Sequence, residues 1–256
     1  MTRRPKEGSR PDLGNVTLVA VTSVAMGPTV EALKASMRQA EFADVLLLSD
    51  QDRPPDTDPS IRWRRIQNLA SRADYSRFML RELADHIETR HALCVQWDGY
   101  VLDGQAWRRQ FLNYDYIGAV WPQFDDDHKV GNGGFSLRSR RLLEATKSLP
   151  LDKSEAEDIQ IGRTHRLELE KGGLQFAPVS VAEQFAYERT SPTGREFGFH
   201  GAFNLVRYLP PRRTLELFRS LEPGMLARNE RTDLFWWALT RGRLSLALSM
   251  FWRIIT

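Results

Sequence analysis

The stretch ALCVQWDGYVLDGQAW, residues 92–107, decides how the fold of this chain is predicted. It begins with a short apolar run, which is typical of a buried strand, and this run ends directly before Gln96, Trp97, Asp98 and Gly99. An acid at the tip of a strand has three ordinary uses: it forms a turn, anchors a hydrogen bond or binds a metal ion. The surrounding sequence is needed to choose among them.

The segments before this stretch predict a doubly wound α/β sheet. Continuous aliphatic runs indicate buried parallel strands, and apolar residues at a spacing of four indicate helices packed on them. The predicted elements are strand 16–21, helix 26–40, strand 43–50, half-exposed strand 61–66, helix 74–89 opened by Asp74, and the strand of the quoted stretch. Such sheets bind ligands beyond the carboxyl ends of their strands, where Thr22, Asp50 and Asp98 fall.

The second half of the chain has a less regular pattern. It predicts a strand at 114–122, a glycine-rich turn with a strand and a helix at 130–146, a helix at 155–173, a strand and turn at 174–185, and an aromatic loop at 195–204. We expect one domain over residues 15–208, preceded by a flexible arm at 1–14. Residues 209–256 are predicted to form a C-terminal helical segment.

The composition is that of an ordinary globular protein. Of 256 residues, 41% are hydrophobic and 27% are charged, which excludes a wholly disordered chain and suffices to bury a core. The net charge of +3 permits a polyanionic ligand or a membrane surface as partner but requires neither. The single cysteine, Cys94, excludes an internal disulfide framework and predicts a reducing compartment. The chain contains no run of about 20 apolar residues, so no membrane-spanning helix is predicted.

The most lipid-like segment is DLFWWALTRGRLSLALSMFWRIIT, residues 233–256. Its aromatic residues at 235–237 and 251–252 are interleaved with arginines, among them Arg241 and Arg243. This composition suits a helix that lies in a membrane interface. A helix that packs its aromatic side chains onto the domain is the competing interpretation.

Four polar motifs follow one another, and each has a structural interpretation beside a functional one. They are QWDG (96–99), GNGGFSLRS (131–139), EAEDIQIG (155–162) and FGFHG (197–201). GNGG suits either a tight turn with positive φ or a backbone surface against which a sugar lies. Glu157 and Asp158 either stabilise a helix dipole or supply a base. His200 either holds a structural hydrogen bond or binds a metal ion.

Together these residue types fit the transfer of a sugar from a nucleotide diphosphate. The leaving diphosphate is densely negative, so a divalent cation or cationic side chains must neutralise it as the bond breaks. The acceptor hydroxyl must lose a proton to a carboxylate within hydrogen-bond reach. Carboxylate oxygens suit Mg²⁺ and Mn²⁺, and imidazole adds a nitrogen ligand that is compatible with Mn²⁺.

The run of sequence from residue 74 to 122, followed by VGNGGFSLRSRRLLEA, EDIQIG, LQFAP and FGFHG, resembles the bacterial DUF5672 family. That family looks like a GT-A glycosyltransferase, and the resemblance covers about residues 16–205. It implies a GT-A-like mixed sheet and a metal-assisted, inverting transfer from a nucleotide-sugar donor to a glycan or glycolipid acceptor. It further implies bacterial surface polysaccharide or glycolipid assembly in the cytoplasm, at the inner face of the membrane, without a nucleic-acid partner.

The resemblance also implies roles for individual residues. GT-A enzymes bind Mn²⁺ or Mg²⁺ and the donor diphosphate with a strand-end D-x-D motif, which matches Gln96-Trp97-Asp98 here. Asp98 is the retained acid, Gln96 is a departure without charge, and His200 matches a further metal ligand. EDIQIG resembles an E-D-V-x-x-G motif whose acidic pair includes the catalytic base, here Asp158 rather than Glu157. The other implied contacts are Thr22, Ser23, Tyr75, Arg77, Asn132, Gly133 and Gly134 with the donor, and Trp121 with the acceptor.

Other interpretations are open on the sequence. Arg77 is equally typical of a solvated helix residue, and Trp121 is equally typical of a core residue. A nucleotidyltransferase on the same sheet would need a phosphate-binding loop after the first strand, where TSVAMGPT has one glycine. A non-catalytic module that binds a nucleotide-sugar or glycan is compatible with Gln96 in place of an acid.

Overall fold

Residues 10–200 are built around a mixed six-stranded sheet. The computed structural model describes residues 10–222, 225–226 and 228–255. Its strands are β1 (Asp12–Val21), β2 (Glu41–Ser49), β3 (Arg62–Arg65), β4 (His91–Val95), β5 (Tyr100–Val101), β6 (Tyr116–Ile117), β7 (Phe135–Ser139), β8 (Ala186–Tyr187) and β9 (Gly198–Phe199). Its helices are α1 (Met26–Gln39), α2 (Arg72–Arg81), α3 (Arg140–Thr146), α4 (Glu157–Ile159), α5 (Arg166–Lys171), α6 (Val179–Phe185), α7 (Ala202–Tyr208), α8 (Pro211–Ser220), α9 (Arg228–Thr240) and α10 (Leu244–Ile255).

The strand order of the large sheet is β3-β2-β1-β4-β7-β6. The first four of these strands are parallel, and β7 runs antiparallel to both of its neighbours. Successive side chains of β1 point to opposite faces, so Leu18 joins a core cluster with Leu33 of α1 while Val19 joins another with Phe78 of α2. Helices therefore cover both faces, and the predicted doubly wound mixed sheet is confirmed.

The parallel register brings three strand ends to one edge of the sheet. Val21 of β1 pairs with Leu48 of β2, and Ala20 of β1 pairs with Val95 of β4. The polar residues that follow each strand therefore lie at the same edge. This is the edge at which open α/β sheets bind their ligands.

A second sheet extends this edge with three strands in the order β5-β9-β8. Tyr100 of β5 pairs antiparallel with Phe199 of β9, and Tyr187 of β8 pairs parallel with the same Phe199. Each of these strands has only two residues, so their side chains show no periodic pattern in the sequence. The small sheet connects segments that lie almost a hundred residues apart.

Two local predictions in the second half are wrong. Residues 174–185 were predicted as a strand and turn, but residues 179–185 form helix α6, in which Ala182 and Phe185 pack on one side against the main core. The segment 195–204 is not a loop throughout, since it contains β9 and the start of α7. His200 lies between these two elements.

Other element boundaries differ in smaller ways. Helix α2 begins after Ser71, whose hydroxyl accepts the backbone N–H of Asp74, so Asp74 is not the capping residue. The strand predicted at 114–122 is short, with β6 at Tyr116–Ile117 and an isolated bridge from Val120 to Val130. Strand β1 begins at Asp12, inside the segment predicted as a flexible arm, and residues 1–9 lie outside the described residues.

A second compact unit begins at Gly201, before the predicted boundary at residue 208. It consists of the helices α7 to α10, in which Leu234, Leu246 and Met250 are buried. Within the described residues, no helix is both long and apolar enough to cross a membrane. The helices α9 and α10 leave large apolar side chains exposed, and these are Trp236, Leu239, Leu244, Leu248, Phe251 and Trp252.

Candidate functional site

Asp98 occupies a tight turn at the end of β4. The backbone N–H of Gly99 donates to the carbonyl of Gln96 at 3.1 Å, which closes the turn around Trp97 and Asp98. A Cβ on Gly99 would lie 2.8 Å from the carbonyl oxygen of Phe199, so glycine is required here by close backbone approach. Asp98 itself is buried, although it is an acid. A buried carboxylate needs a partner of opposite charge or a metal ion.

The small sheet supplies this partner by placing His200 beside Asp98. Tyr100 pairs with Phe199, and a Cβ on the preceding Gly99 would lie 3.0 Å from Cδ2 of His200. Nε2 of His200 lies 3.2 Å from Oδ1 of Asp98 and 3.3 Å from Oε1 of Gln96. The two residues that the resemblance implies as metal ligands are therefore adjacent.

The other ring nitrogen of His200 faces a third acid, Glu188. Oε1 of Glu188 lies 3.3 Å from Nδ1 of His200. Burial lowers the pKa of His200, but Asp98 and Glu188 outweigh this effect and raise it well above its ordinary value. Burial likewise disfavours the charge on Glu188, yet the hydrogen bond from His200 holds the pKa of that carboxyl below its ordinary value.

Asn132 completes the surroundings of the imidazole. Its backbone has a positive φ of 76°, so the tight turn in GNGG places the asparagine, rather than a glycine, in the left-handed region. Its Oδ1 accepts the backbone N–H groups of Gly134 and Phe135 at 2.9 and 3.1 Å. These two bonds turn the amide nitrogen towards His200, where Nδ2 lies 3.1 Å from Nδ1.

The glycines of this loop are explained by contacts inside the protein. A Cβ on Gly134 would lie 1.9 Å from Nε2 of His200, and a Cβ on Gly133 would lie 2.0 Å from Oε1 of Glu157. The loop 131–134 is therefore packed between the histidine on one side and the EDIQIG segment on the other. Close packing within the chain is a sufficient reason for both glycines.

Glu157 and Asp158 have different surroundings although they are adjacent in sequence. Glu157 is buried and accepts a hydrogen bond from Nη2 of the fully buried Arg138 at 3.0 Å. Asp158 is partly exposed, and its Oδ2 accepts the backbone N–H of Gly133 at 2.9 Å. Only Asp158 therefore retains solvent access.

The pKa of Asp158 differs from that of an ordinary aspartate. Burial, with the nearby charge of Glu157, raises the pKa of Asp158 to about 6. Hydrogen bonds from the backbone of Gly133 and Ile159, and the charge of Arg138, limit the rise. A carboxyl with this pKa is matched to the role of a general base near neutral pH.

The residues implied in donor binding fall into two groups. Tyr75 lies beside the QWDG turn, because its hydroxyl accepts a hydrogen bond from Nε2 of Gln96 at 2.9 Å. Thr22 and Ser23 lie in the turn after β1, where the Ser23 hydroxyl accepts the backbone N–H of Leu69 at 3.0 Å. This bond ties the turn to the loop that precedes α2.

Arg77 and Trp121 have contacts that favour the structural interpretations. Arg77 pairs with Glu82 on its own helical segment. Trp121 is 4% exposed, and a Cβ on Gly131 would lie 2.0 Å from its ring. Both residues are thus engaged by the protein, and their predicted contacts with donor and acceptor stay predictions.

The donor set at Asp98 fits a divalent ion in part. Among the residues that the structure describes, no three His, Cys, Asp or Glu side chains converge on one ion position. Oδ1 of Asp98 is nevertheless buried and, within the described chain, accepts no well-directed hydrogen bond. A carboxylate oxygen, the amide oxygen of Gln96 and Nε2 of His200 are the ligand types that Mn²⁺ accepts. Sites for such ions often take their remaining ligands from substrate phosphates and water.

Sequence reasoning missed Glu188 and Arg138. Glu188 lies in the segment YERTSPTG, outside every motif, and only the pairing of β8 with β9 brings it to His200. Arg138 lies within GNGGFSLRS, and its buried ion pair could have been predicted from the sequence. It occupies a five-residue strand that is otherwise typical of the core, where a charged residue needs a buried partner.

Comparison with known proteins identifies the family. The DUF5672 model, described as a protein of unknown function, matches residues 60–200. No curated protein matches the chain. A crystal structure of an active-site mutant of LgtC is similar over 85% of this chain and 100% of that chain, with 14% sequence identity and a TM-score of 0.48. That likeness is too weak to assign fold or activity. The family match spans more than half of the residues, and this chain therefore belongs to the DUF5672 family.

Proposed function

We propose that the protein is a GT-A-like glycosyltransferase that transfers a sugar from a nucleotide-diphosphate sugar to a hydroxyl acceptor. The observation that carries the proposal is the arrangement around loop 131–134. Asp98 and His200 lie on one side of this loop, and Asp158, with its raised pKa, contacts the other. A leaving diphosphate and an acceptor hydroxyl need these two kinds of group within one site.

We assign Asp98 and His200, with Oε1 of Gln96, as the protein ligands of a Mn²⁺ or Mg²⁺ ion. When bound, the ion supplies positive charge that stabilises the leaving diphosphate. Gln96 contributes an oxygen but no charge. The low number of protein ligands suits an ion whose coordination is completed by the donor phosphates.

We assign the role of general base to Asp158. Its ionised carboxylate takes the proton of the acceptor hydroxyl while that oxygen bonds to the anomeric carbon of the donor sugar. The bond from this carbon to the diphosphate oxygen breaks on the opposite face, so the configuration inverts. Glu157 is held by Arg138. We therefore assign Glu157 a supporting role beside Asp158 and not a role in proton transfer.

The donor is expected to extend from the turn after β1 to the glycine loop. Thr22 and Ser23 are assigned to the nucleobase and ribose of the donor. Tyr75, Gln96 and Trp97 are assigned to the region beside its diphosphate. Asn132, Gly133 and Gly134 are assigned to the transferred sugar. Arg77 reaches a phosphate only if its ion pair with Glu82 opens, and Trp121 reaches the acceptor only if its buried ring becomes accessible.

We further propose that the protein acts in bacterial surface polysaccharide or glycolipid assembly, in the cytoplasm, at the inner face of the membrane. The support is the unit that begins at Gly201. Residues 201–256 contain nine arginines and four acidic residues. Its exposed Leu244, Leu248 and Trp252 follow a helical spacing of four on α10. Apolar side chains beside arginines suit the interface of an anionic membrane.

Co-sedimentation with vesicles tests the membrane contact. We expect the protein to bind vesicles that contain phosphatidylglycerol and to be released when Leu248 and Trp252 are both changed to Ser. Val24 is a suitable control, since it is an exposed apolar residue of the other unit. Equal binding of the double variant and a Val24→Ser variant would contradict the contact.

Turnover of nucleotide-sugars by Asp98→Asn tests the activity itself. The substitution removes the charge that holds the ion, and we expect kcat/KM to fall by about 10³-fold, which corresponds to a loss of about 4 kcal/mol of transition-state stabilisation. Asp103→Asn is the matched control, because Asp103 is exposed and caps the short 3₁₀ turn Gly104–Ala106, where asparagine caps equally well.

Three outcomes would contradict the proposal. Full activity of Asp98→Asn would remove the metal–diphosphate role. Tight binding of nucleotide-sugars by the wild-type protein in calorimetry, without product for any acceptor, would instead favour a non-catalytic binding module. Release of pyrophosphate from a nucleoside triphosphate would favour a nucleotidyltransferase.

A further inference from the structure

We infer that Glu188 is a positioning residue for the metal site, which accepts the Nδ1 proton of His200 and thereby presents Nε2 to the ion. The inference rests on the proposed function, because it concerns the same ion. It assigns a role to an acid that no sequence motif contains. The argument depends on strand register, on the two nitrogens of one imidazole ring, and on burial.

Strand register places Glu188 beside the histidine. β8 and β9 pair in parallel through Ala186 with Gly198 and Tyr187 with Phe199, and the next pair in this register is Glu188 with His200. The backbone N–H of His200 donates to the carbonyl of Tyr187 at 3.0 Å, so the pairing continues to the end of β9. The backbone therefore holds the two side chains together.

The two ring nitrogens of His200 face different acids. Nε2 lies 3.2 Å from Asp98, whereas Nδ1 lies 3.3 Å from Glu188. A neutral imidazole carries its proton on one nitrogen, and only the tautomer protonated at Nδ1 leaves Nε2 free to bind an ion. A carboxylate at Nδ1 selects this tautomer and makes the ring a stronger ligand.

Asn132 cannot replace Glu188 in this role. Its Oδ1 is engaged by two backbone N–H groups, so its Nδ2 donor faces the ring. A donor would favour the opposite tautomer, with an unprotonated Nδ1. The Glu188 carboxylate resolves this conflict, because it can only accept hydrogen bonds, and it accepts one from His200 Nδ1 at 3.3 Å and another from the Asn132 side chain.

Glu188 is also poorly placed to be a ligand itself. It faces the ring nitrogen that points away from Asp98, so one ion cannot touch both acids and Nε2 together. The Glu188 side chain is 13% exposed, and a buried carboxylate without a partner would be costly. Its burial is therefore explained by the hydrogen bonds to His200 and Asn132.

The affinity for Mn²⁺ in the presence of UDP, measured by electron paramagnetic resonance, tests the inference. We expect Glu188→Ala to weaken Mn²⁺ binding by about 10- to 100-fold, as is usual when the partner of a histidine ligand is lost. The Mn²⁺ affinity of Glu188→Gln should lie between those of Glu188→Ala and the wild-type protein, because the amide oxygen still accepts the Nδ1 proton but carries no charge. Glu183→Ala is the control, since Glu183 is exposed on α6. This variant should bind Mn²⁺ with the affinity of the wild-type protein.

A kinetic measurement separates positioning from a purely structural role. If Glu188 acts through the ion, excess Mn²⁺ restores most of the kcat of both Glu188 variants. A loss of kcat that does not respond to Mn²⁺ would overturn the inference. Thermal unfolding of each variant checks the fold, and if Glu188→Ala does not fold, Glu188→Gln decides the question by the same two measurements.

Failure of the inference and failure of the proposed function give different results. Wild-type Mn²⁺ affinity in both Glu188 variants, together with weak binding in Asp98→Asn, would overturn only the role of Glu188. Equal Mn²⁺ affinity of Asp98→Asn and the wild-type protein would remove the ion site. In that case the metal-assisted mechanism and the role of Glu188 would fail together.

Discussion

Two clusters of charge flank the loop 131–134, and they contain the same numbers of acidic and basic groups. The His200 cluster consists of Asp98, His200 and Glu188, and the Arg138 cluster consists of Arg138, Glu157 and Asp158. Each has two carboxylates and one basic side chain. The difference lies in the basic group, because an imidazole can release its proton whereas a guanidinium keeps its charge at any ordinary pH.

This difference separates the tasks of the two clusters. In the His200 cluster both acids contact the ring, one at each nitrogen. When Nε2 of His200 loses its proton, a metal cation can therefore bind between this nitrogen and Asp98. In the Arg138 cluster the permanent charge is committed to Glu157, and Asp158 is left with a raised pKa and solvent access. Four acids with similar intrinsic chemistry thus acquire different roles from their partners.

The largest expected effect is the loss of the proposed base. Asp158→Asn should lower kcat by about 10²- to 10⁴-fold, because a positioned general base contributes that much to the rate. The binding of UDP and Mn²⁺ should persist, since Mn²⁺ is assigned to the His200 cluster and UDP to the turn after β1 and the region of Gln96. Steady-state kinetics and isothermal titration calorimetry measure the two quantities.

The fold should tolerate this substitution. The folded protein holds the proton of Asp158 more tightly than the unfolded chain does, so the ionised carboxyl destabilises the fold as pH rises from 3.8 to about 6. An uncharged asparagine avoids this effect but keeps only one of the two oxygens that accept the backbone N–H groups of Gly133 and Ile159, so the free energy of unfolding at pH 7.5 should decrease by no more than about 1 kcal/mol. Loss of both stability and UDP binding in Asp158→Asn would instead show that the residue is structural.

The next expected effect is on stability, in the Arg138 cluster. Glu157→Gln should lower the free energy of unfolding by about 3–5 kcal/mol, because it leaves the buried Arg138 without a countercharge. Chemical denaturation at pH 7.5 measures the change. Glu183→Gln, at an exposed position, should shift the stability by no more than about 0.5 kcal/mol.

A compensating variant sharpens this test. Replacing both members of the pair, as in Arg138→Met with Glu157→Met, should recover most of the lost stability, because no buried charge is then left unpaired. If Glu157→Gln is as stable as the wild-type protein, the pair does not hold the site together. The comparison between the two clusters would then lose its basis.

The smallest effect is a change of pH. Because Asp158 acts as a base only when ionised, kcat should fall about tenfold per unit as pH decreases below about 6, and it should level off above that value. The pH profile of kcat at saturating Mn²⁺ measures this limb. In Asp158→Asn the residual rate should lack the limb, and its persistence there would assign the titration to another group.

The large sheet could be predicted from the sequence because its strands and helices carry strong local patterns. The strands β1, β2 and β4 each contain an uninterrupted apolar run of four residues, at 18–21, 45–48 and 92–95, and α1 and α2 show regular helical spacing. The segment that became α6 was misassigned, since its helical character depends on packing of Ala182 and Phe185 against distant residues. Seven residues are too few for periodicity to decide between helix and strand.

The candidate site was predictable where a residue lies at a strand end or in a recognisable motif. Asp98 and His200 were predicted as neighbours, and the structure brings them within 3.2 Å, although their metal-binding role stays a prediction. Glu188 could not be found in this way, because β8 has two residues and its partner strand lies beyond an intervening loop. Pairs of such short strands are decided by the whole fold.

By itself the sequence determined the doubly wound sheet and the residues that follow its strands. These features depend on local hydrophobic patterns, which act over a few residues and are visible in the chain. Only the tertiary structure decided which acid receives which partner. Glu157 faces Arg138, Asp158 faces Gly133, and Glu188 faces His200. Charge and desolvation act over a few ångströms between segments that are distant in sequence, so the function of QWDG depends on contacts that its own residues do not encode.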